Sequence, residues 1–183
     1  VERFGLVSYN CEDAFERYAQ QVTAVSHPTF HKITNMAWDD IWMRPVATQV
    51  AEEIEIYREE FSMILADLGQ LPQDKPILAE GAALMPELVV PLLASPNQAA
   101  WMVPTEPFQR ETYAKRTWIH DILQTCRNPD VAFRNWMDRD VAFAKWVAAE
   151  TAVSHLTLFT TDGTCTIDET AVLLAQHFGL LTS

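Results

Sequence analysis

The chain has 183 residues and carries 13 Lys and Arg against 25 Asp and Glu, a formal charge of −12. So acidic a protein is no general binder of duplex nucleic acid or of an anionic membrane, because both demand a cationic footprint. With 49% apolar residues, 5 Gly and no low-complexity tract, the composition predicts one folded domain over 1–183 rather than a disordered chain.

Cys11, Cys126 and Cys165 are odd in number, far apart and never in a C-x-x-C pair, which fits a reducing cytoplasm and excludes a zinc ribbon. No window approaches the roughly 18 apolar residues of a membrane span, and residues 1–10 lack the pattern of a secretion signal. The sequence opens on Val rather than Met, which is read as a fragment, a processed chain or a shifted gene start.

In chain order, short apolar runs closed by polar or turn residues predict buried parallel strands over 6–9, 76–80, 99–103 and 156–160. Between the first two, Pro45 opens a long amphipathic helix with Val46, Val50, Ile54, Tyr57, Phe61, Ile64, Leu65 and Leu68 at helical spacing, ended by Gly69 and Pro72. A second long helix starts with Asn128 as N-cap, Pro129 in the first helical position and Asp130 in the first turn, and runs to about 153. Thr166 and Glu169 form a capping box for the last helix, whose inner side is expected to carry Val172, Leu173 and Phe178. Strands alternating with helices make this an α/β protein with a mostly parallel sheet.

Function in open α/β sheets sits at the carboxyl ends of the strands. Glu12 and Asp13 follow the first strand, where a carboxylate could take a substrate hydroxyl proton or hold a Mg²⁺ water; equally, they suit the first turn of a helix. Glu80 and Gly81 end the second strand, a carboxylate beside a residue that permits close backbone approach, with a solvated turn as the alternative. Charge is uneven: residues 110–145 carry a net +2 while the rest carries −14. That Arg-rich stretch suits a compact anion such as phosphate, or else helix-surface ion pairs.

In the second long helix the stripe Phe133, Trp136, Met137, Phe143 and Val147 has Asp140 in its path and Arg139 beside it. Either the two form a structural pair or the stripe faces a cleft where Arg139 meets an anion. His27 and His31 lie four apart, but no third ligand accompanies them, so no metal site is assigned. The six tryptophans read as core or interface, and no G-x-S-x-G supports a serine hydrolase.

Several segments, in order, resemble a group of bacterial P-loop kinase-like proteins related to nucleoside and nucleotide kinases and to the shikimate-kinase type. These are I-L-A-E-G-A-A-L-M-P-E-L, W-M-V-P-T-E-P-F-Q-R-E-T-Y-A-K-R, F-R-N-W-M-D-R-D-V-A-F-A-K-W-V and the T-D-G of Asp162 and Gly163. The resemblance runs from about Phe4 to the end. It implies a three-layer P-loop NTPase fold with helical acceptor and lid regions, and ATP and Mg²⁺ as cofactors.

Such kinases hold ATP with G-x-x-x-x-G-K-[ST] between the first strand and first helix, and no such motif occurs in this chain. In the resemblance, residues 1–5 correspond to the end of the helix that the loop would start. One strand, the loop and most of a helix are therefore missing from a sheet of order 2-3-1-4-5.

By position, the resemblance puts Glu12 and Asp13 in the acceptor region, with Arg44 and Arg58 as candidate acceptor contacts. It puts Glu80 and Gly81 near Mg²⁺ and the reacting phosphate, Arg134 and Arg139 in the lid, and Asp162 and Gly163 near the nucleotide base; a degenerate domain without the loop would keep an anion pocket near Arg116, Arg134 and Arg139. The expected function is an ATP-dependent phosphotransferase lineage acting on a small hydroxylated metabolite or nucleoside, inactive as the chain stands. The alternative is a non-catalytic anion-binding or oligomerising module. Losing a central strand bares ladder groups and apolar faces, so a homodimer or a rearranged sheet is expected.

Overall fold

The computed structural model describes residues 2–181, and only the backbone at Glu2. A single 3-10 turn at Glu2–Phe4 precedes β1 (Val7–Asn10); of the expected helix end over 1–5, Val1 lies outside the described residues. Then follow α1 (Phe15–Ala19), α2 (Pro28–Thr34), α3 (Trp38–Trp42), α4 (Val46–Gln70), β2 (Ile77–Glu80), α5 (Pro86–Val89), β3 (Trp101–Pro104), α6 (Glu106–Ala114), α7 (Thr117–Leu123), α8 (Pro129–Val153), β4 (Leu158–Thr161) and α9 (Ile167–His177). The fold is mixed α/β. Among the described residues no helix is long and apolar enough to cross a membrane.

The residues fall into two compact units. One joins the stretch ending at Met36 to Ala51–Leu88; the other joins Ala37–Val50 to everything from Val89 onward.

In the first unit β1 and β2 pair in parallel, with Val7 opposite Ile77 and Asn10 opposite Glu80. The core gathers Cys11, Ala14, Tyr18, Phe30, Ile56 and Ile64, all buried. Residues 56, 60 and 64 lie one turn apart on α4, so Glu60 shares the buried line with the two isoleucines. This corrects the expected apolar face of α4. Leu65 is exposed, and Ile54, Tyr57 and Phe61 are only half-buried. An apolar stripe wide enough to include all of them leaves the centre of the buried arc undetermined, and here a carboxylate occupies it. The free N–H groups of Thr29 and Phe30 at the start of α2 donate to the Glu59 carboxylate at 2.9 and 2.8 Å, so α4 caps α2 from the side.

In the second unit β3 and β4 pair in parallel, Trp101 opposite Leu158 and Pro104 opposite Thr161. The Asn128 side chain accepts the Val131 N–H at 3.2 Å and Pro129 leads α8, as the sequence predicts. Two buried indole rings anchor the core, Trp42 and Trp136 stacking at 4.0 Å between centroids, while Trp38, 6.5 Å from Trp42, and Trp118, edge-on to Trp136 at 5.8 Å, are exposed. At α9 the Thr166–Glu169 capping box forms in both directions. Leu173, expected inside, is 43% exposed; Ala175 is the buried residue of that helix, and Val172 and Phe178 are half-buried.

The four expected strands exist, displaced by one or two residues, but they form two separate two-stranded sheets rather than one. They are also less buried than expected. No residue of β1, β2 or β4 is buried, and in β3 only Trp101 is. Parallel strands normally sit covered on both faces. In a two-stranded pair every strand is an edge, so half of each ladder faces outward.

Candidate functional site

The carboxyl end of the β1–β2 pair collects most of the acidic candidates. Register puts Asn10 beside Glu80, and the Cys11 N–H donates to the Glu80 carbonyl at 2.9 Å, so the segments leaving both strands run together. Glu12 and Asp13 begin the turn into α1, both exposed, and the Glu12 N–H donates to Asn10 Oδ1 at 2.9 Å. Glu80 is exposed at the strand tip. Gly81 follows with φ +147°, and a Cβ there would stand 2.5 Å from Cys11 Cβ, so only glycine lets the strands' exits approach this closely.

Glu60 lies on the buried line of α4. It is 4% exposed and accepts no hydrogen bond and forms no ion pair among the described residues. Burial, reinforced by the Glu12 charge, pushes its carboxyl up to about 7. The Cys11 thiol is pushed up to about 12, first by burial and then by the Glu60 charge, with lesser contributions from Glu12 and Glu80. The Cys11 sulfur is therefore a protonated packing group and not a nucleophile at neutral pH.

One turn pair further along α4 the chemistry is opposite. Asp67 pairs with Arg17, receives Tyr18 Oη–H at 2.5 Å and Tyr9 Oη–H at 3.1 Å, and has its carboxyl lowered chiefly by the arginine. Burial raises both tyrosines. This network ties β1, α1 and α4 together and leaves no cation over for Glu60.

The candidate arginines divide. Arg58 is taken by Glu87, bidentately at 2.6 and 3.0 Å, and by Glu55, so it serves as an ion-pair hub within the first unit. In the second unit Arg44 donates to the Ile41 carbonyl at 3.3 Å and is half-buried. Arg139 binds Asp140 through Nε at 2.8 Å and Nη2 at 2.6 Å and lies over the Trp42 ring at 4.9 Å. Burial raises the Asp140 carboxyl, while Arg139 and then Arg116 oppose the rise. The structural Arg–Asp pair is thus present. Arg116 sits over the Tyr113 ring at 4.1 Å, and Arg134 is exposed with no ion pair among the described residues.

Of the other bases in the Arg-rich stretch, Arg110, Lys115 and Arg127 all form ion pairs with carboxylates. Most of that stretch is ordinary surface pairing. Asp162 Oδ1 accepts the Thr164 N–H at 2.9 Å and its hydroxyl at 2.6 Å, and Gly163, at φ +85°, packs where a Cβ would meet the Phe108 ring at 2.6 Å. Turn geometry and packing account for the D-G pair with no ligand.

Two side-chain features escaped the sequence reading. Glu60 is one, although a carboxylate in an apolar stripe is the same signal that singled out Asp140. The other is a set of buried polar atoms around the indole stack: Trp42 Nε1, Trp136 Nε1 and Gln49 Oε1 have no hydrogen-bond partner among the described residues. Trp136 Nε1 faces Asp140 closely enough to lower its carboxyl but short of hydrogen-bond geometry.

Neither implied cofactor fits these residues unaided. Among the described residues no three His, Cys, Asp or Glu come together as a metal site built from side chains alone would need, His27 and His31 included. The chain also lacks the glycine-rich loop that would cradle ATP phosphates. No family model, curated protein or solved structure matches the chain.

Proposed function

We propose that this chain is the acceptor-side and lid-side portion of a kinase-like phosphotransferase of the P-loop, three-layer type. Its ligand is a small hydroxylated or phosphate-bearing metabolite, a nucleoside or nucleotide among them. The single observation that supports this reading is strand pairing: β1 with β2 and β3 with β4, both parallel. Deleting strand 1 from the order 2-3-1-4-5 leaves these two pairs and no others. The half-buried strands favour the same reading, since a complete parallel sheet would be covered.

On this reading Glu12 and Asp13 stand in the acceptor region, Glu80 and Gly81 at the strand end near the reacting phosphate, and Arg134 and Arg139 belong to the lid, where guanidinium groups stabilise charge on a transferring group. Arg134, exposed and without an ion pair among the described residues, is the lid cation most available to a phosphate. ATP·Mg²⁺ gives no turnover with the 183 residues alone, because the phosphate-holding loop is not among them. A second copy covers the open strand edges, giving a homodimer.

The test is thermal-shift screening of the purified chain with inorganic phosphate, nucleoside monophosphates and ATP, paired with a phosphate-transfer assay. Stabilisation by phosphate or monophosphate but not ATP, without turnover, is the expected result. Turnover with ATP·Mg²⁺ refutes the loop-less reading. No stabilisation by any of the three replaces it with the non-catalytic, oligomerising module.

A further inference from the structure

Where α7 ends and α8 begins, the second unit holds a partly enclosed cavity of about 170 Å³. His120, Leu123 and Gln124 line it from the end of α7, and Pro129, Asp130 and Phe133 from the start of α8. Its walls divide by chemistry. Leu123, buried, and Pro129 and Phe133 give one apolar side with an aromatic face; Asp130, Gln124 and His120, all exposed, give the polar side. The connection between the helices does not need those polar groups, because it satisfies its own backbone. The N–H groups of Gln124, Thr125 and Cys126 donate to the carbonyls of His120, Ile122 and Leu123 at 2.9, 3.2 and 2.9 Å. His120 Nε2–H donates to the Ala114 carbonyl at 2.9 Å, which holds the ring and leaves Nδ1 as an acceptor in the neutral imidazole. The Asp130 carboxylate forms no ion pair or hydrogen bond among the described residues.

We propose that this cavity binds a small aromatic amine, its ring against Phe133, Leu123 and Pro129 and its ammonium group at Asp130. Size sets the scale: a cavity of roughly 150 Å³ holds benzene, so one of about 170 Å³ takes a single aromatic ring on a short arm. The polar side sets the charge. A carboxylate, an imidazole nitrogen and an amide oxygen are acceptors, and an ammonium brings three donors and no acceptor. The ring packs on Phe133 in offset or edge-on contact.

Other ligand classes fit less well. An anion would meet the Asp130 charge and the Nδ1 lone pair. A bare metal ion would leave the apolar side unused and find no third His, Cys, Asp or Glu there. The start of α8 accounts for an acid at position 130 by itself, since the helix dipole favours one in the first turn, but not for an aromatic-walled cavity beside it. The site uses none of the residues assigned to the phosphotransferase reading and no phosphate, so the two stand or fall separately.

The test is isothermal titration of the full chain with benzylamine, its neutral counterpart benzyl alcohol and the anion benzoate, in amine-free buffer at about pH 8, above the ordinary range of imidazole. Benzylamine binds with a Kd on the order of 1 mM, as suits a ligand of its size. Benzyl alcohol binds about fivefold more weakly, the share of an ion pair that stays partly in water, and benzoate does not bind. Asp130→Asn brings benzylamine down to the affinity of the alcohol and leaves the alcohol unchanged, which also shows the variant to be folded. Asp121→Asn makes the same charge change at an exposed position of α7 outside the cavity and leaves benzylamine binding unaltered, separating the site from the general attraction of an acidic protein for cations. Gln124→Trp fills the cavity and abolishes binding of both ligands. No binding of benzylamine up to about 20 mM overturns the proposal. So does equal affinity for amine and alcohol, benzoate binding as tight as benzylamine, an equal loss in Asp121→Asn and Asp130→Asn, or undiminished binding in Gln124→Trp.

Discussion

Replacing Glu60 by Gln should make the protein more stable, not less, above neutral pH. The unfolded carboxyl titrates at 4.5 and the folded one at about 7, because burial and the Glu12 charge disfavour the anion. Below 4.5 both states carry the proton and the group contributes no pH dependence. Between these values the folded state holds one proton that the unfolded state has released, so stability falls by about 1.4 kcal/mol per pH unit and levels off above about 7. The accumulated loss is roughly 3 kcal/mol. Glutamine is nearly isosteric and cannot titrate, so its stability curve lacks this fall, and at about pH 8 the variant exceeds the parent by roughly 2 to 3 kcal/mol. Asp67 has the opposite sign: Arg17 lowers its carboxyl, so its stabilisation is present above the ordinary 3.8 and is lost as pH falls below it, outside this window. The assay is urea unfolding followed by far-UV circular dichroism from about pH 5 to 8, since all six tryptophans lie in the second unit and Glu60 in the first. Parallel pH profiles for parent and variant would refute the reasoning.

Gly81→Ala places a Cβ 2.5 Å from Cys11 Cβ at a φ that side chains rarely adopt, and should lower stability by about 2 kcal/mol or more in the same unfolding assay. Arg139→Met leaves Asp140 buried without its guanidinium and should cost about 3 kcal/mol, much of it recovered in the double variant Arg139→Met with Asp140→Leu; equal losses in both would deny that pairing is the issue. A thiol reagent should modify exposed Cys165 at once, and buried Cys11 and Cys126 only on unfolding, so two fast thiols in the native protein would contradict the packing. Light scattering should give the mass of a dimer, and a stable monomer would remove the second copy proposed to cover the strand edges.

Local signals were highly legible in the sequence. Asn128–Pro129 and Thr166/Glu169 fixed two helix starts because capping is a property of three or four consecutive residues. Strands with only four residues each were found because apolar runs stand out between helices. What depends on distant partners was not legible. Arg58 looked like an available cation until Glu87, 29 residues away, claimed it. The centre of α4's buried arc could not be set by hydrophobicity alone, since Glu60 occupies it, and Leu173 fell outside because the buried contact on α9 belongs to the small Ala175.

Asp67, Asp140 and Glu60 differ in how far folding alone explains them. Asp67 is satisfied by an arginine and two tyrosines, and its carboxyl is lowered; folding alone explains it. Asp140 is raised by burial but has Arg139 bound to it and Arg116 nearby, so its cost is offset within its own unit. Glu60 is raised by the same burial with no donor and a like charge beside it. A leucine there would join Ile56 and Ile64 and remove the penalty. Stability therefore gives no reason for a carboxylate at position 60, and the pH dependence of the Glu60→Gln variant measures what keeping one costs.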